Sequence, residues 1–247
     1  MEKHFPLAVF SFFSKKSRPK SFPFGTDIHS HLIPGLDDGV KSNEEAAAVI
    51  RKLLDLGFTK FITTPHINHS YNNTPATIVN GLASLREFLA GSNMQVDIEA
   101  AAEYYLDDTV LTALEQKQPL LTFGKDHLLF ETNFLSEPLF MKDFIFRAIT
   151  QGYRPLLAHP ERYAYFTLAK AEEYRSRGAL LQVNLLSLSG FYSVPVQKMA
   201  EKMIDKGWVD FLGSDCHNMI HATELESVFS SRHFKKALDL DLLNKRL

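Results

Sequence analysis

The chain has 247 residues, of which 45% are hydrophobic and 23% are charged, so a wholly disordered chain is excluded and one large α/β domain fits. The formal net charge of −2 removes the electrostatic reason to expect binding along nucleic acid. The single cysteine, Cys216, cannot form an internal disulfide, which fits a reducing compartment such as the cytoplasm.

Residues 1–23 are predicted to be an N-terminal tail ahead of one domain at residues 24–247. The apolar residues 1–13 come before a basic cluster, which consists of Lys15, Lys16, Arg18 and Lys20. A secretory signal has the opposite order, and the apolar part is too short to span a bilayer. We expect a flexible tail, with a weak anchor to anionic lipid or a membrane partner as the alternative.

From residue 24 onward, short β-rich runs alternate with longer helical patterns, which is typical of parallel βα units. Seven strands are predicted, at residues 25–31, 60–65, 96–103, 127–131, 154–159, 180–184 and 209–215. The helices are predicted at residues 42–57, 75–89, 108–116, 141–152, 168–178, 195–207 and 224–238. Four glycines fit the position just past a helix end, where φ is positive: Gly57, Gly152, Gly178 and Gly207. The repeat predicts a closed or nearly closed barrel, with an open doubly wound sheet as the alternative.

Histidines and carboxylates fall at the ends of these predicted strands. His29 and His31 stand two residues apart at the end of the first strand, so their imidazoles point the same way. Asp215 and His217 repeat this spacing at the last strand. Barrels of this kind build their sites at the carboxyl ends of the strands. The side chains expected at this edge are His29, His31, Asp38, His66, Glu103, Glu131, His159, Arg162, Asp215 and His217.

Each of these residues alone has an ordinary explanation, such as a helix cap, an Asx turn or a solvated loop. Their coincidence is different, because burying four carboxylates and five imidazoles without a counter-charge would cost many kcal/mol. Nine such ligands are too many for one tetrahedral ion and enough for two or three ions. The absence of thiolates favours Mn, Fe or Zn, and Cys216 is expected to be a packed apolar residue.

With these residues in view, the sequence resembles the polymerase-and-histidinol-phosphatase (PHP) superfamily, and within it the bacterial tyrosine-protein phosphatases of capsule and exopolysaccharide operons. The likeness lies in residues 27–31, 36–39, 64–66, 102–105, 130–131, 158–163, 182–184 and 213–218. It implies an α/β fold of the PHP type, a distorted seven-stranded (β/α)7 TIM-like barrel. It also implies a trinuclear metal centre, with Mn²⁺ as the first choice and Fe or Zn as alternatives.

The resemblance implies a division of the ligands among the ions. The first ion would be held by His29, His31 and Asp215. The second would be held by Glu103, as a bridge to the first, together with Glu131 and His159. The third would be held by Asp38, His66 and His217. Arg162 would bind the substrate phosphate, and the implied catalytic residues are Arg162, His159 and Asp215.

One departure from the family pattern is visible. Phosphatases of this kind usually carry another arginine in the loop after the final Asp-x-His, whereas this chain has Asn218-Met-Ile-His-Ala-Thr223. His221 and Arg232 are the two candidates that would replace it. The departure affects the phosphate clamp and leaves the metal ligands intact.

The implied activity is metal-assisted phosphomonoester hydrolysis of a phosphotyrosine protein, with the tail of a bacterial tyrosine autokinase as the partner. A cysteine-dependent route is excluded, because the residue six positions after Cys216 is Ala222 and not an arginine. Three alternatives stay open. They are a PHP phosphoesterase for a small metabolite such as histidinol phosphate, an amidohydrolase-type barrel that cleaves C–N bonds, and a barrel that only binds partners.

Overall fold

Short runs of apolar residues form nine strands in residues 21–247, the part of the chain that the computed structural model describes. The strands are β1 (Thr26–Asp27), β2 (Lys60–Thr63), β3 (His66–Ile67), β4 (Asp97–Ala100), β5 (Glu103–Tyr105), β6 (His127–Glu131), β7 (Arg154–Leu157), β8 (Leu180–Asn184) and β9 (Phe211–Gly213). They form a three-stranded sheet in the order β1-β2-β4 and a six-stranded sheet in the order β3-β5-β6-β7-β8-β9. Every pair within these sheets is parallel, which confirms the predicted α/β class.

The strand count differs from the seven predicted, because two predicted strands are each interrupted. Residues 60–65 give β2 and then a break at Pro65, which has no N–H to donate to a ladder. The strand predicted at residues 96–103 is likewise divided into β4 and β5, beside the break between β2 and β3. Hydrogen bonds cross the breaks, from the N–H of Ala101 to the carbonyl of Thr63 (2.9 Å) and from the N–H of Glu103 to the carbonyl of Pro65 (3.1 Å).

The backbone after β1 also contacts the backbone after β9. The N–H of Asp215 donates to the carbonyl of His29 at 2.8 Å, and the N–H of His31 donates to the carbonyl of Cys216 at 2.9 Å. The residues that follow β1 and the residues that follow β9 therefore lie side by side, although the two strands belong to different sheets. Cys216 itself is fully buried, which confirms its prediction as a packed residue.

Eight α-helices connect the strands in the described part of the chain. They are α1 (Asn43–Asp55), α2 (Pro75–Gly91), α3 (Asp108–Glu115), α4 (Met141–Thr150), α5 (Leu168–Ser176), α6 (Val194–Asp205), α7 (Met219–Val228) and α8 (Arg232–Ala237). The four glycines predicted past helix ends all have positive φ, between 67° and 96°. Ser42 caps α1 as expected, because its hydroxyl accepts the N–H of Glu45 at 3.2 Å.

The single helix predicted at residues 224–238 is wrong. The structure has α7, which starts five residues earlier than predicted, and a separate α8. Asn218 begins α7 because its side chain accepts the N–H of His221 at 3.1 Å. Ser231 begins α8 in the same way, through the N–H of Phe234 at 3.3 Å. Both are ordinary N-cap residues, and a turn before Ser231 separates the helices.

The hydrophobic core includes an aromatic cluster near the start of the described residues. Phe22 is 1% exposed and stacks on Phe58 with ring centroids 4.7 Å apart. The packed part of the chain thus begins no later than Phe22, two residues before the boundary placed at residue 24. The basic cluster of the tail, and with it the expected contact with lipid, lies outside the described residues. Within residues 21–247, no helix is both long enough and apolar enough to cross a bilayer.

Candidate metal centre

The ends of the strands bring the nine predicted metal ligands into one cluster. His66 begins β3 and lies beside Glu103, the first residue of β5, in the parallel register. Glu131 is the last residue of β6. The other members follow strand ends or lie in loops: His29, His31, Asp38, His159, Asp215 and His217. The sequence therefore predicts correctly which side chains meet at this edge.

Two histidines and two carboxylates form the buried centre of the cluster. Nε2 of His29 lies 3.1 Å from Oε2 of Glu103 and 3.4 Å from Oδ1 of Asp215. Nε2 of His31 lies 3.4 Å from the same two oxygen atoms. The two Nε2 atoms are themselves 3.4 Å apart, and none of the four residues is more than 2% exposed. Four potential ligand atoms thus surround one point in the interior.

The remaining members extend the cluster in two directions. On one side, Nε2 of His159 lies 3.1 Å from Oε1 of Glu103. On the other, Nδ1 of His66 lies 3.1 Å from Oε2 of Glu103 and 3.3 Å from Oε1 of Glu131. Asp38 is the outermost residue on this side, and its Oδ1 lies 3.5 Å from Nε2 of both His66 and His217. The Asp38 side chain is 55% exposed, so the cluster opens to solvent there.

Four groups of these residues place one ligand atom each within 4.8 Å of the others and could hold a metal ion. The groups are His29, His31 and Asp215; His29, Glu103 and His159; His66, Glu103 and Glu131; and His31, Asp38, His66 and His217. The first matches the group that the resemblance implies for one ion. The fourth contains all three residues that the resemblance implies for the third ion, with His31 added. In the second and third groups, His159 lies with His29 and Glu131 lies with His66, whereas the implied division places His159 and Glu131 on one ion.

Hydrogen bonds orient three of the imidazoles toward the cluster. Nδ1 of His29 donates to Oε1 of Gln182 at 3.0 Å, and Nδ1 of His31 donates to Oδ2 of Asp37 at 2.7 Å. Nδ1 of His217 donates to the backbone carbonyl of Asp215 at 2.9 Å. Because these oxygens only accept, each ring carries a proton on Nδ1, and in a neutral ring Nε2 is the atom left to bind an ion in the cluster. Metal-binding histidines have this arrangement.

Several buried atoms of the described cluster have no hydrogen-bond partner. Oε2 of Glu103 and Nδ1 of His66 lie 3.1 Å apart, and neither atom makes a hydrogen bond of good geometry to any neighbour in the described part of the chain. A buried polar group left unsatisfied costs about 1–3 kcal/mol, and more if it is charged. A divalent cation would satisfy both atoms at once. The imidazole and carboxylate donors, with no thiolate among them, therefore fit Mn, Fe or Zn.

The carboxylates of the cluster carry opposed pKa shifts. Burial tends to raise the pKa of Glu103, but the nearby His29 and His66 hold it well below its usual range. Burial raises the pKa of Glu131 well above its usual range, and the negative charges of Glu103 and Asp215 raise it further. Glu131 is thus the carboxylate of the cluster whose negative charge its protein neighbours do not offset.

Arg162 is the cation nearest the cluster carboxylates. It lies in the 3-10 turn Pro160–Arg162 directly after His159. Its Nη1 donates to Oδ2 of Asp215 at 2.7 Å. The guanidinium carbon lies 4.3 Å from the ring centroid of Tyr192 and 5.0 Å from that of Phe134, so two aromatic rings flank it. Its side chain is 22% exposed, which leaves part of the guanidinium accessible.

Three supporting residues were not assigned a role from the sequence. Gln182 and Asn184 stand two residues apart on β8, so their side chains lie on the same face, toward the cluster. The amide of Asn184 donates to Oδ2 of Asp215 at 2.9 Å. The sequence holds a signal for this pair: two amide side chains stand two residues apart at the end of β8, a strand that supplies no predicted metal ligand. Asp37 stands next to Asp38, and no spacing rule distinguishes a ligand from the residue that orients one.

His221 and Arg232, the candidates for the missing loop arginine, occupy different places. The ring of His221 lies 5.5 Å from that of His217, and its Nδ1 is 3.3 Å from the carbonyl of Asp215. Arg232 is exposed at the start of α8. Within residues 21–247, no hydrogen bond or ion pair links Arg232 to the cluster. His221 is therefore the candidate that the fold places beside the site.

Comparisons with known proteins add family and fold. A protein-family model described as "Capsular polysaccharide synthesis, CpsB/CapC" matches residues 25–231. Tyrosine-protein phosphatase YwqE of Bacillus subtilis (strain 168) is 26% identical over 196 residues, 78% of this chain and 77% of that protein. Tyrosine-protein phosphatase CpsB of Streptococcus pneumoniae is 25% identical over 201 residues, 78% and 83% of the respective chains. A crystal structure from work on YwqE and CpsB, described as metal-dependent tyrosine phosphatases, matches with a TM-score of 0.77 at 24% identity, over 90% of this chain and 94% of that one.

Proposed function

This chain belongs to the capsular polysaccharide synthesis CpsB/CapC family, and we propose that it is a metal-dependent phosphomonoester hydrolase that acts on phosphotyrosine in proteins. The observation that carries this proposal is the cluster of imidazoles and carboxylates, whose nitrogen and oxygen atoms converge in four groups that could each hold an ion. The similar proteins YwqE and CpsB are named tyrosine-protein phosphatases, and this supports the choice of substrate class.

We propose that the two sheets act as one distorted seven-stranded TIM-like barrel of the PHP type. In this description β2 continues as β3 and β4 continues as β5, which reduces nine strands to seven. The hydrogen bonds across both breaks, and those between residues 29–31 and 215–216, support it. The domain, predicted at residues 24–247, would also include Phe22.

The proposed ligands are the nine residues of the cluster, and they would hold two or three divalent ions, with Mn²⁺ as the first choice. The ligand set is His29, His31, Asp38, His66, Glu103, Glu131, His159, Asp215 and His217. Bound ions would supply a water of lowered pKa and would neutralise charge on the phosphoryl oxygens. Glu103 is central, because its oxygens lie within 3.1–3.4 Å of four of the five histidines.

Arg162 would bind the phosphoryl oxygens of the substrate. A guanidinium presents several N–H donors in a plane, which suits two phosphate oxygens at once. The nearer ring, that of Tyr192, and the bond to Asp215 hold this group in place before substrate arrives, so little entropy is lost on binding. Asp215 would thus serve both as a ligand and as the anchor of Arg162.

His159 would act as a neutral ligand. Burial, followed by the positive charge of Arg162, lowers the pKa of His159 to about 4. The ring is therefore neutral near neutral pH, and Nε2, which lies 3.1 Å from Oε1 of Glu103, would bind an ion in the tautomer that carries its proton on Nδ1. A protonated ring at this position would repel both Arg162 and any cation in the cluster.

Other chemistries fit these side chains less well. Cys216 is fully buried, and burial raises the pKa of its thiol, so it is a poor nucleophile. An amidohydrolase-type barrel often uses a carboxylated lysine at a central strand. Among residues 21–247, no lysine forms an ion pair with a carboxylate of the cluster, and Arg162 is the cation that does. A phosphate ester suits this arrangement better than an amide.

The proposed partner is the phosphorylated tail of a bacterial tyrosine autokinase of capsule or exopolysaccharide synthesis, and the proposed compartment is the cytoplasm. Membership of a capsular polysaccharide synthesis family supports the pathway. Nothing in the charge balance favours nucleic acid as a partner.

The test is a comparison of substrates on one preparation. Purified protein loaded with Mn²⁺ is assayed with phosphotyrosine peptides and with histidinol phosphate, and kcat/KM is measured for each. We expect the phosphotyrosine peptides to be hydrolysed much faster. The reverse order would identify a phosphatase of small metabolites, and no hydrolysis of either ester would overturn the proposal.

A further inference from the structure

Phe134 is a partly exposed aromatic ring beside Arg162. Phe134 follows β6 and is 37% exposed. Its ring stacks on that of His159 with centroids 5.9 Å apart and an interplanar angle of 18°. The guanidinium of Arg162 lies 5.0 Å from its centroid. Phe134 therefore contacts Arg162, the proposed phosphate-binding residue, and His159, a proposed metal ligand.

The loop that carries Phe134 is held in place by hydrogen bonds. Oδ1 of Asn133 accepts the N–H groups of Leu135 at 2.7 Å and Ser136 at 3.2 Å. The carbonyl of Phe134 accepts the N–H of Ala164 at 2.7 Å, and its ring meets Tyr163 edge-on at 5.3 Å. The ring is thus pre-positioned, and a ligand that packs on it pays little ordering entropy.

The position of this ring matters because of where an ester group must go. A phosphate monoester whose phosphoryl group meets Arg162 and the buried cluster has to direct its organic group toward solvent, past the partly exposed side chains beside Arg162. An aromatic ring joined to the phosphate through one oxygen atom then lies within a few ångströms of Phe134. Two aromatic rings in offset or edge contact attract each other beyond the effect of buried area, whereas a short alkyl group lacks this term.

We propose that Phe134 is a specificity-determining residue, whose ring packs against the aromatic ring of the phosphotyrosine substrate and favours aryl over alkyl phosphates. This inference rests on the proposed function and deepens it. Phe134 has no role in holding the ions or the phosphate itself. Its removal should therefore lower the preference for an aryl group without changing the affinity for inorganic phosphate.

The test measures binding and not hydrolysis, because a phenol is a better leaving group than an alcohol and would raise the hydrolysis rate of aryl phosphates by itself. Phenylphosphonate and methylphosphonate, which carry a P–C bond in place of the ester, are titrated by calorimetry into the metal-loaded full chain. Inorganic phosphate is titrated in the same way. The proteins are the wild type, Phe134→Ala, Phe134→Tyr and the control Phe146→Ala, which removes a ring that is 68% exposed on α4.

For Phe134→Ala we expect the affinity ratio of phenylphosphonate to methylphosphonate to fall about 5- to 10-fold, with the phosphate affinity unchanged. Phe134→Tyr, which keeps the ring, and Phe146→Ala should keep the wild-type ratio. An unchanged ratio in Phe134→Ala overturns the inference. So does an equal loss for all three ligands, which would mean that the ring only supports Arg162. A wild type that shows the aryl preference but hydrolyses no phosphotyrosine peptide would overturn the proposed function and not the role of Phe134.

Discussion

Oδ2 of Asp37 lies 2.7 Å from Nδ1 of His31, and both side chains are buried. The adjacent Asp38 instead lies 3.5 Å from Nε2 of both His66 and His217, with an exposed side chain. Two neighbouring aspartates therefore differ in position. Asp37 stands behind His31 and sets its orientation, while Asp38 faces the cluster directly.

Replacing Asp37 tests whether this support matters. We expect Asp37→Ala to weaken binding of Mn²⁺ about 10- to 100-fold, because His31 loses the acceptor that fixes its ring. Asp37→Asn should lose less, since the amide oxygen still accepts the Nδ1 proton. Titration of metal-free protein with Mn²⁺ measures both, with Asp55→Ala, an exposed position at the end of α1, as the control. Equal affinity in Asp37→Ala and wild type would contradict the role of Asp37.

Glu103 is the carboxylate on which most of the cluster depends. We expect Glu103→Gln to lower kcat/KM for phosphotyrosine peptides at least about 100-fold and to reduce the metal content per chain, because a neutral amide neutralises no cation. The matched control is Glu99→Gln on β4, whose side chain is 45% exposed and pairs with Lys60. Elemental analysis and steady-state kinetics on the same samples decide the outcome. A Glu103→Gln variant with full metal content and turnover would refute this assignment.

Arg162 is expected to act on the substrate rather than on the ions. Arg162→Lys keeps the positive charge but loses the planar set of donors, so kcat/KM should fall about 100-fold while the metal content stays unchanged. Arg177→Lys, a change at a 44% exposed arginine that pairs with Glu173, should have no effect. If Arg162→Lys loses metal together with activity, Arg162 supports the cluster and does not bind phosphate.

The sequence predicts the membership of the cluster better than its internal arrangement. Residues such as His29 and Asp215 could be found because parallel strands bring their carboxyl ends together, whatever the details of the sheet. Which ligand lies beside which depends on loop geometry. His159 and Asp215 adopt positive φ values of 32° and 50°. Because neither residue is a glycine, the sequence does not predict this backbone conformation. The pairing of His159 with His29 follows from that local backbone and could not be read from spacing.

The fold shows the same limit. Helix α1 was predictable because Ser42, two glutamates and Gly57 mark both of its ends. The start of α7 was missed because Asn218 acts as its N-cap within a motif that was interpreted as a metal-binding loop. The break between β2 and β3 falls at Pro65, which is visible in the sequence. The passage of the paired strands from one sheet to the other at this level depends on tertiary packing.

His127 lies outside the cluster, and we expect it to make the folded state less stable at acidic pH. Its ring is buried, its Nε2 has no hydrogen-bond partner, and burial together with the charge of Arg154 lowers its pKa to about 4. In the unfolded chain its pKa is about 6.5. Between these values the unfolded state binds the proton and the folded state does not, so stability falls as the pH drops below about 6.5.

The loss reaches at most about 3 kcal/mol by pH 4, from the size of the shift. His127→Phe removes the titrating group and keeps a ring beside Phe123 and Phe211. The free energy of unfolding in urea, measured at pH 7 and pH 5 with metal-depleted protein, should fall less in the variant than in the wild type. An identical pH dependence in both proteins would show that His127 does not titrate as described.

The central claim is that divalent cations gather these side chains and are needed for hydrolysis of phosphotyrosine. Its most direct test is to strip the protein with a chelator, return Mn²⁺ in measured amounts, and record ions bound per chain together with turnover of a phosphotyrosine peptide. We predict that turnover is lost in the stripped protein and returns to a plateau at two or three ions per chain. Full turnover in protein that retains no measurable metal would contradict the account.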